Sequence, residues 1–386
     1  MTPPTYPAAR LVADAVQGHF ARHINAARGR AETGAPATRN LRRGVEANLE
    51  TPPPLAIAAI IDAAFWASLR REEGRAPRIS LAFLPPEDAK HAVTFAGRLP
   101  LLPAVLAKVA PAVERPGIHL GVWRTSDDYF VWGTTREVPA FCLVVEVVMS
   151  GLIVVKHRSE PFGKFINVAV LEGDQIKIVD EGVGQVLPDC PAMVTSLVGA
   201  KGRADGSGLT TVLIQLAASM RQHGRGGALL VVPSGSQDWR ESIVSPIQYA
   251  VEPPFSELAG LSCSDQADPD DLKRAVDAIA GLTAVDGATI INDRYDLLAF
   301  GAKIARKRGS TPVEWVNMTE PVEGSSPVRA APAQFGGTRH LSAAQFVHDQ
   351  RDATALVASQ DGRFTIFKWS PREQFVHAHR VDALLL

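Results

Sequence analysis

Short apolar runs separated by turn residues recur through the first half of this 386-residue chain. Turn signals such as Thr125-Ser126-Asp127-Asp128 and Glu172-Gly173-Asp174 lie between them. Runs of this length are typical of antiparallel strands that follow one another in a sheet. The runs occupy residues 119–123, 129–132, 141–148, 152–157, 165–171 and 175–179. With a further strand at 79–84 and a helix at 102–110, the pattern predicts a strand-rich α/β module.

The length of the chain predicts more than one domain, because single hydrophobic cores rarely grow this large. Apolar residues at helical spacing in 10–28 and 54–71 predict two helices before the strand-rich module. The glycine-rich segment that follows the module lacks the Gly-Lys-Ser/Thr ending of a phosphate loop, so a linker is predicted there. The predicted division is a helical arm at 1–77, the α/β module at 78–198, a linker at 199–208 and a second α/β domain at 209–386.

Composition limits the partners and the compartment. The formal net charge of -1 and the lack of a basic stripe argue against binding to a nucleic-acid polymer. The three cysteines form no Cys-x-x-Cys pair, which argues against a disulfide framework or a structural zinc site. The apolar run at 138–155 contains Glu146 and a turn, so it predicts two buried strands and no membrane span. We expect a cytoplasmic protein that does not bind a membrane.

One pair of histidines lies at a spacing found in metal sites. His19 and His23 are four residues apart within a predicted helix and would share one face of it. The sequence around them supplies neither a metalloprotease motif nor a third ligand. Surface histidines are therefore the expected interpretation.

Two short segments near the C-terminus carry the candidate chemistry. Asp286-Gly287-Ala288 places a carboxylate beside a glycine where an apolar, β-branched run begins. Gly337-Thr338-Arg339-His340 opens a stretch with helical character, so backbone N–H groups, a hydroxyl and a guanidinium would converge at a helix N-terminus. Such an end binds phosphate, and a carboxylate facing it suits a metal-bound nucleotide. Alone, Asp286-Gly287 could be a turn and Thr338 an N-cap. Their occurrence together favours nucleotide binding.

These segments resemble the signatures Asp-Gly-Ala and Gly-Thr-Arg-His-Arg of the diadenylate cyclase (DAC) domain. The order of the surrounding elements is also similar to that family over residues 209–386. The corresponding pieces are a helix at 209–224, a strand at 227–232, a hairpin at 286–291 and 297–301, a helix at 339–347 and strands at 353–359 and 363–367. The resemblance implies a mixed sheet with flanking helices and a nucleotide site.

The resemblance also implies roles for individual residues. In DAC domains two copies meet face to face, and the ribose 3′-hydroxyl of one ATP attacks the α-phosphorus of the other with Mg²⁺ or Mn²⁺. A homodimer through this face would follow. Asp286 would be the catalytic residue and a metal ligand, with Asp361 the second candidate ligand. The implied nucleotide contacts are Gly287, Ala288, Gly337, Thr338, Arg339, His340 and Ser359.

Two departures from the DAC pattern change the expected function. The second arginine of the family is Leu341 here, and its Ser-Glu-Glu-Thr-Gly stretch reads Ser359-Gln360-Asp361-Gly362. A leucine cannot neutralise phosphate, and an amide is a poorer Mg²⁺ ligand than a carboxylate. Asp361 could replace the acidic ligand only after a one-residue shift, which would turn its side chain to the opposite face.

The chain is therefore similar to the divergent DAC-related families of probable sensor domains, of the DACNV type. The expected function is a sensor that binds a nucleotide or cyclic dinucleotide without turnover. The enzymatic alternative is a diadenylate cyclase that makes cyclic di-AMP from two ATP. A third alternative is a structural protein in which the same fold binds no ligand.

Overall fold

The computed structural model describes residues 4–32, 50–72, 74–126, 128–158, 164–182, 189–198, 208–264 and 267–386. The chain divides into two compact units, Met1–Val179 with Leu386, and Asp180–Leu385. Each unit contains one mixed sheet with helices, so the predicted α/β class is confirmed. The finer division predicted at residues 77/78, 198/199 and 208/209 stays a prediction, and most of the predicted linker lies outside the described residues.

The first unit is an eight-stranded sheet with helices before and within the strand series. Its elements are α1 (Pro7–Glu32), α2 (Pro54–Ser68), β1 (Ile79–Phe83), β2 (Val93–Pro100), α3 (Pro103–Val109), β3 (His119–Arg124), β4 (Tyr129–Thr135), β5 (Leu143–Met149), β6 (Leu152–Arg158), β7 (Phe165–Glu172) and β8 (Gln175–Ile178). The strand order is β2-β4-β3-β1-β5-β6-β7-β8. From β5 to β8 each strand pairs antiparallel with the next, as predicted. The prediction missed the edge strand β2, because most of its residues are exposed.

The two N-terminal helices pack on this sheet. Helix α2 is rich in alanine and buried on most of its surface, because it lies against α1, α3, β5 and β6. The Asp62 carboxylate of α2 accepts the backbone N–H groups of Thr5 and Tyr6, each at 2.7 Å, where α1 begins. The ring of Tyr6 stacks on Phe65 with centroids 3.7 Å apart. A carboxylate and an aromatic stack therefore hold the start of α1 on α2.

The expectation of surface histidines at positions 19 and 23 is wrong for His19. That ring is only 3% exposed, and its Nε2 lies 2.9 Å from Nε2 of His157 in β6. His19 shares the buried face of α1 with Val16 and Phe20, which pack into the core of the first unit. His23, one turn later, is partly buried.

The second unit is a nine-stranded sheet with helices. Its elements are α4 (Ala192–Val198), α5 (Gly208–Gln222), β9 (Gly227–Val232), β10 (Tyr249–Phe255), α6 (Glu257–Ser262), α7 (Pro269–Leu282), β11 (Ala288–Asn292), β12 (Leu297–Ala302), β13 (Val316–Thr319), β14 (Val328–Ala330), α8 (Pro332–Phe335), α9 (Thr338–Asp349), β15 (Thr354–Ala358), β16 (Phe364–Ser370) and β17 (Phe375–Arg380). The strand order is β10-β12-β11-β9-β15-β16-β17-β13-β14.

The helices and strands predicted for this segment are confirmed. Strand β9 is buried at every residue, because helices cover the sheet around it. Ala228, Leu230 and Val232 share a core with the buried face of α9, while α5 and α7 contact β15 and β12. This burial on both faces explains the continuous apolar sequence of β9.

The edges of the second sheet differ from its centre. The connection at 303–334 includes β13 and β14, which form one edge of the sheet. Strand β10 lies at the other edge, is largely exposed and contains Pro253 and Pro254. Within the described parts of both units, no helix is both long and apolar enough to cross a membrane.

Candidate functional site

Strand register brings several predicted residues to one end of the second sheet. Strands β9 and β11 are parallel, with Ala288 opposite Ala228. Strand β15 runs antiparallel to β9, with Ala358 opposite Gly227. The residues that precede β9 and β11 and those that follow β15 therefore lie at the same end. The segments that meet there are Arg225–Gly226, Asp286–Gly287 and Ser359–Asp361, and we call this end the strand-end site.

Arg339 reaches the strand-end site from the first turn of α9. Its Nη1 lies 3.0 Å from the position that a Cβ on Gly226 would occupy. Cγ of Gln360 lies 3.3 Å from that same position, and Nε2 of Gln360 donates to the carbonyl of Arg225 at 3.3 Å. The missing side chain at Gly226 thus leaves room for the guanidinium. Arg339 and Gln360 therefore both lie next to Gly226.

Asp286 and Gly287 form the bend that leads into β11. Gly287 has φ +108°, and a Cβ there would lie 2.5 Å from the carbonyl carbon of Gly301 and 2.7 Å from its oxygen. Glycine is required because the two backbones approach this closely. Asp286 is exposed, whereas Ala288 is 1% exposed and belongs to the core. The dipeptide therefore makes the turn and still presents a carboxylate to solvent.

The N-terminus of α9 is open. Gly337 is the N-cap residue and no side chain caps the helix, so the alternative reading of Thr338 as the N-cap is wrong. Gly337 and Thr338 are exposed, and Arg339 is partly buried. An uncapped N-terminus with a nearby guanidinium favours a bound anion, because both the helix dipole and the charge attract it.

His340 is buried next to this end. It is 2% exposed, and its Nε2 lies 3.3 Å from Oγ1 of Thr365 in β16. A Cβ on Gly336 would lie 2.0 Å from the imidazole, so that glycine packs directly on the ring. Burial lowers the pKa of His340 to about 4, although Asp361 opposes this shift. Of these two residues, Arg339 is the one that is partly exposed at the strand-end site, because the ring of His340 is buried.

The turn between β15 and β16 holds Ser359 and Asp361. The N–H of Ser359 donates to the carbonyl of Arg363 at 2.9 Å. The carboxylate of Asp361 accepts the N–H of Arg363 at 3.3 Å and lies 3.4 Å from its Nε. Partial burial acts to raise the pKa of Asp361, but the hydrogen bonds from Arg363 and Ser359 outweigh it and lower the pKa. Asp361 is therefore ionised and bonded within its own turn.

Sequence reasoning missed the residues that support this end. Arg221 donates from Nε to the carbonyl of Gly362 at 3.0 Å and from Nη1 to the carbonyl of Leu385 at 3.0 Å. Gly226 makes room for Arg339. The run Gly224-Arg225-Gly226-Gly227 directly before a buried strand was the available signal, because clustered glycines often mark close backbone approach.

The first unit contains a cavity of about 610 Å³. Its walls combine aromatic, apolar and charged side chains, including Trp66, Tyr129, Leu101, Leu102, Asp62 and Arg70. Within the described residues Arg70 is exposed and forms no ion pair. Concave sites with mostly apolar walls and few polar groups suit small molecules.

Part of the first unit matches the model of a known protein family. The family model described as "Probable sensor domain DACNV" matches residues 46–136. This span covers α2, α3 and β1 to β4 of the first unit, and most residues that line the cavity lie within it. No curated protein matches the chain. The match supports a relationship to DAC-related sensor families, but it lies outside residues 209–386, so the DAC identity of that segment stays a prediction.

Proposed function

We propose that this protein is a sensor whose second unit binds a nucleotide or cyclic dinucleotide at the strand-end site. The observation that carries the proposal is the convergence of Arg339, Gln360 and the Asp286 turn at one end of the sheet. The match of residues 46–136 to a probable sensor domain supports the sensory role. In this proposal, occupancy of the second unit is relayed to the first.

Each group has a chemical role in the proposal. The Arg339 guanidinium and the uncapped first turn of α9 bind phosphate. The exposed Asp286 carboxylate accepts a hydrogen bond from a ribose hydroxyl or contributes one ligand to a phosphate-bound cation. Gly226 and Gly287 have no side chains, so they leave space at this end for Arg339 and for the close approach of the backbone at Gly301.

The residues present do not fit a site with two carboxylate ligands for Mg²⁺ or Mn²⁺. Gln360 supplies an amide next to Arg339, and Asp361 is hydrogen-bonded within its own turn. Leu341, at the position of the family's second arginine, is 40% exposed and carries no charge. Losing one charge-assisted contact costs about 1.5–3 kcal/mol. A binding protein tolerates such a loss better than an enzyme that must also stabilise a transition state.

The first experiment incubates the purified full chain with ATP and Mn²⁺ and separates products and retained nucleotide by chromatography. Binding of ATP, cyclic di-AMP and cyclic di-GMP is then measured by titration. We expect saturable binding without product, and Arg339→Ala should weaken it by about 10- to 150-fold, the equivalent of one charge-assisted contact. Arg308→Ala, an exposed arginine in the same unit, is the matched control and should bind normally.

Two results would contradict the proposal in different ways. Cyclic di-AMP made by the wild type but not by Asp286→Asn would establish the cyclase alternative. If none of these nucleotides binds, or if Arg339→Ala binds as well as the wild type, the strand-end site is not a nucleotide site. The proposed homodimer is tested separately by measuring the mass of the protein in solution with and without the nucleotide.

A further inference from the structure

Three histidine rings meet in the first unit, away from the strand-end site. His19 and His23 lie on successive turns of α1, and His157 lies on β6. The two Nε2 atoms of His19 and His157 are 2.9 Å apart. The ring centroid of His23 lies 4.4 Å from that of His19 and 5.5 Å from that of His157. We call these residues the trihistidine cluster.

We propose that the trihistidine cluster binds a divalent transition metal ion of the Ni²⁺, Cu²⁺ or Zn²⁺ class. Imidazole nitrogen is a preferred ligand for these ions and a poor one for Mg²⁺ or Ca²⁺. One ion held by residues distant in sequence would tie the helix to the sheet. The site is separate from the proposed nucleotide function and uses none of its residues.

The shortest distance in the cluster favours particular ions. When two nitrogens each lie about 2.0–2.1 Å from one ion and the nitrogen–ion–nitrogen angle is a right angle, the nitrogens are about 2.9 Å apart. In tetrahedral geometry they are about 3.4 Å apart. His19 and His157 are hydrogen-bonded through these nitrogens at 2.9 Å, which equals the right-angled separation, and a bound ion takes the place of the proton between them. Tetragonal Ni²⁺ or Cu²⁺ therefore needs little movement of these two rings. Tetrahedral Zn²⁺ requires them to separate by about 0.5 Å.

Aromatic side chains and burial surround the cluster. The rings of Phe20 and Phe141 lie 5.2 and 5.5 Å from His157. Burial, with smaller contributions from His157, His23 and Arg22, lowers the pKa of His19 to about 2.

His23 is the third ligand and provides access to the cluster. Unlike the other two rings it is only partly buried, so an ion can reach the cluster on its side. Its ligand nitrogen lies within 4.8 Å of that of His19, close enough for the two rings to converge on one ion. Further coordination positions remain for water or another protein oxygen.

The test uses the full chain, stripped with a chelator and titrated with Ni²⁺ and Zn²⁺ by calorimetry. The visible spectrum of the Co²⁺ derivative reports the coordination geometry. We expect one ion per chain, and His23→Gln should weaken binding by at least about tenfold, since even groups that only orient a metal ligand contribute that much. His157→Gln should do the same, and circular dichroism checks that each variant folds.

Two controls locate the site. His91→Gln changes an exposed histidine of the same unit. His377→Gln changes one of the two histidines in β17 of the second unit. Both should bind metal as the wild type does, and so should Arg339→Ala, which separates this proposal from the nucleotide site. If the wild type binds no ion, or if folded His23→Gln binds as tightly as the wild type, the metal site does not exist.

Discussion

Substitution of Gly287 by alanine should destabilise the hairpin of β11 and β12. The added Cβ would lie 2.5 Å from the carbonyl carbon of Gly301, 2.7 Å from its oxygen and 2.9 Å from the N of Ala302. All three atoms are backbone, so no side-chain rotation relieves the clash. The positive φ of +108° costs about 1–3 kcal/mol for a residue with a Cβ. Overpacking adds about 1–3 kcal/mol. We expect a total loss of about 2–6 kcal/mol in unfolding free energy.

Gly309→Ala separates the two contributions. Gly309 also has a positive φ, +81°, but no atom lies within 4 Å of the position of its Cβ. It should lose only the conformational part. The measurement is urea unfolding of both variants, with hydrogen exchange of peptides from residues 288–302 as the local readout. Equal stability of the two variants, or unchanged exchange in the hairpin of Gly287→Ala, would refute the argument from close backbone approach.

Two further predictions follow from contacts described above. Asp62→Ala should lower the unfolding free energy of the first unit by about 1–2 kcal/mol, because two backbone N–H groups at the start of α1 lose their hydrogen-bond acceptor. Thermal unfolding measures this loss. In the same assay the control Asp14→Ala, at an exposed position of α1, should have little effect. His340 has a folded pKa of about 4, below the ordinary 6.5, so the unfolded chain binds the proton first and stability falls as pH drops from about 6.5 toward 4. Urea unfolding across this range should show a smaller pH dependence in His340→Gln.

Most helices and strands could be predicted because their buried positions are occupied by apolar residues at regular spacing in the sequence. Strand β9 is apolar throughout because both its faces are covered, and the meander from β5 to β8 carries clear turn residues. Strands β2 and β14 are largely exposed edge strands, so they show no such trace. The burial of His19 was also hidden, since helical periodicity defines a face but not what packs against it.

The candidate site was predictable only in part. The order of the motifs placed Asp286 and Ser359 correctly at strand ends, and the register then brought them to one end of the sheet. Sequence adjacency gave no such guide within α9. Consecutive helical residues point about 100° apart, so Arg339 and His340 cannot both face the same ligand. The structure resolves this by burying His340 against β16.

The edge strand β10 has a consequence for self-association. An exposed strand edge normally offers a row of N–H and C=O groups onto which another chain can add a strand. Pro253 and Pro254 have no N–H to offer, and the pairing of β10 with β12 shifts register between Ala250 and Phe255. At the opposite edge, β14 spans only three residues. The second sheet is therefore a poor template for ordered aggregation through its edges.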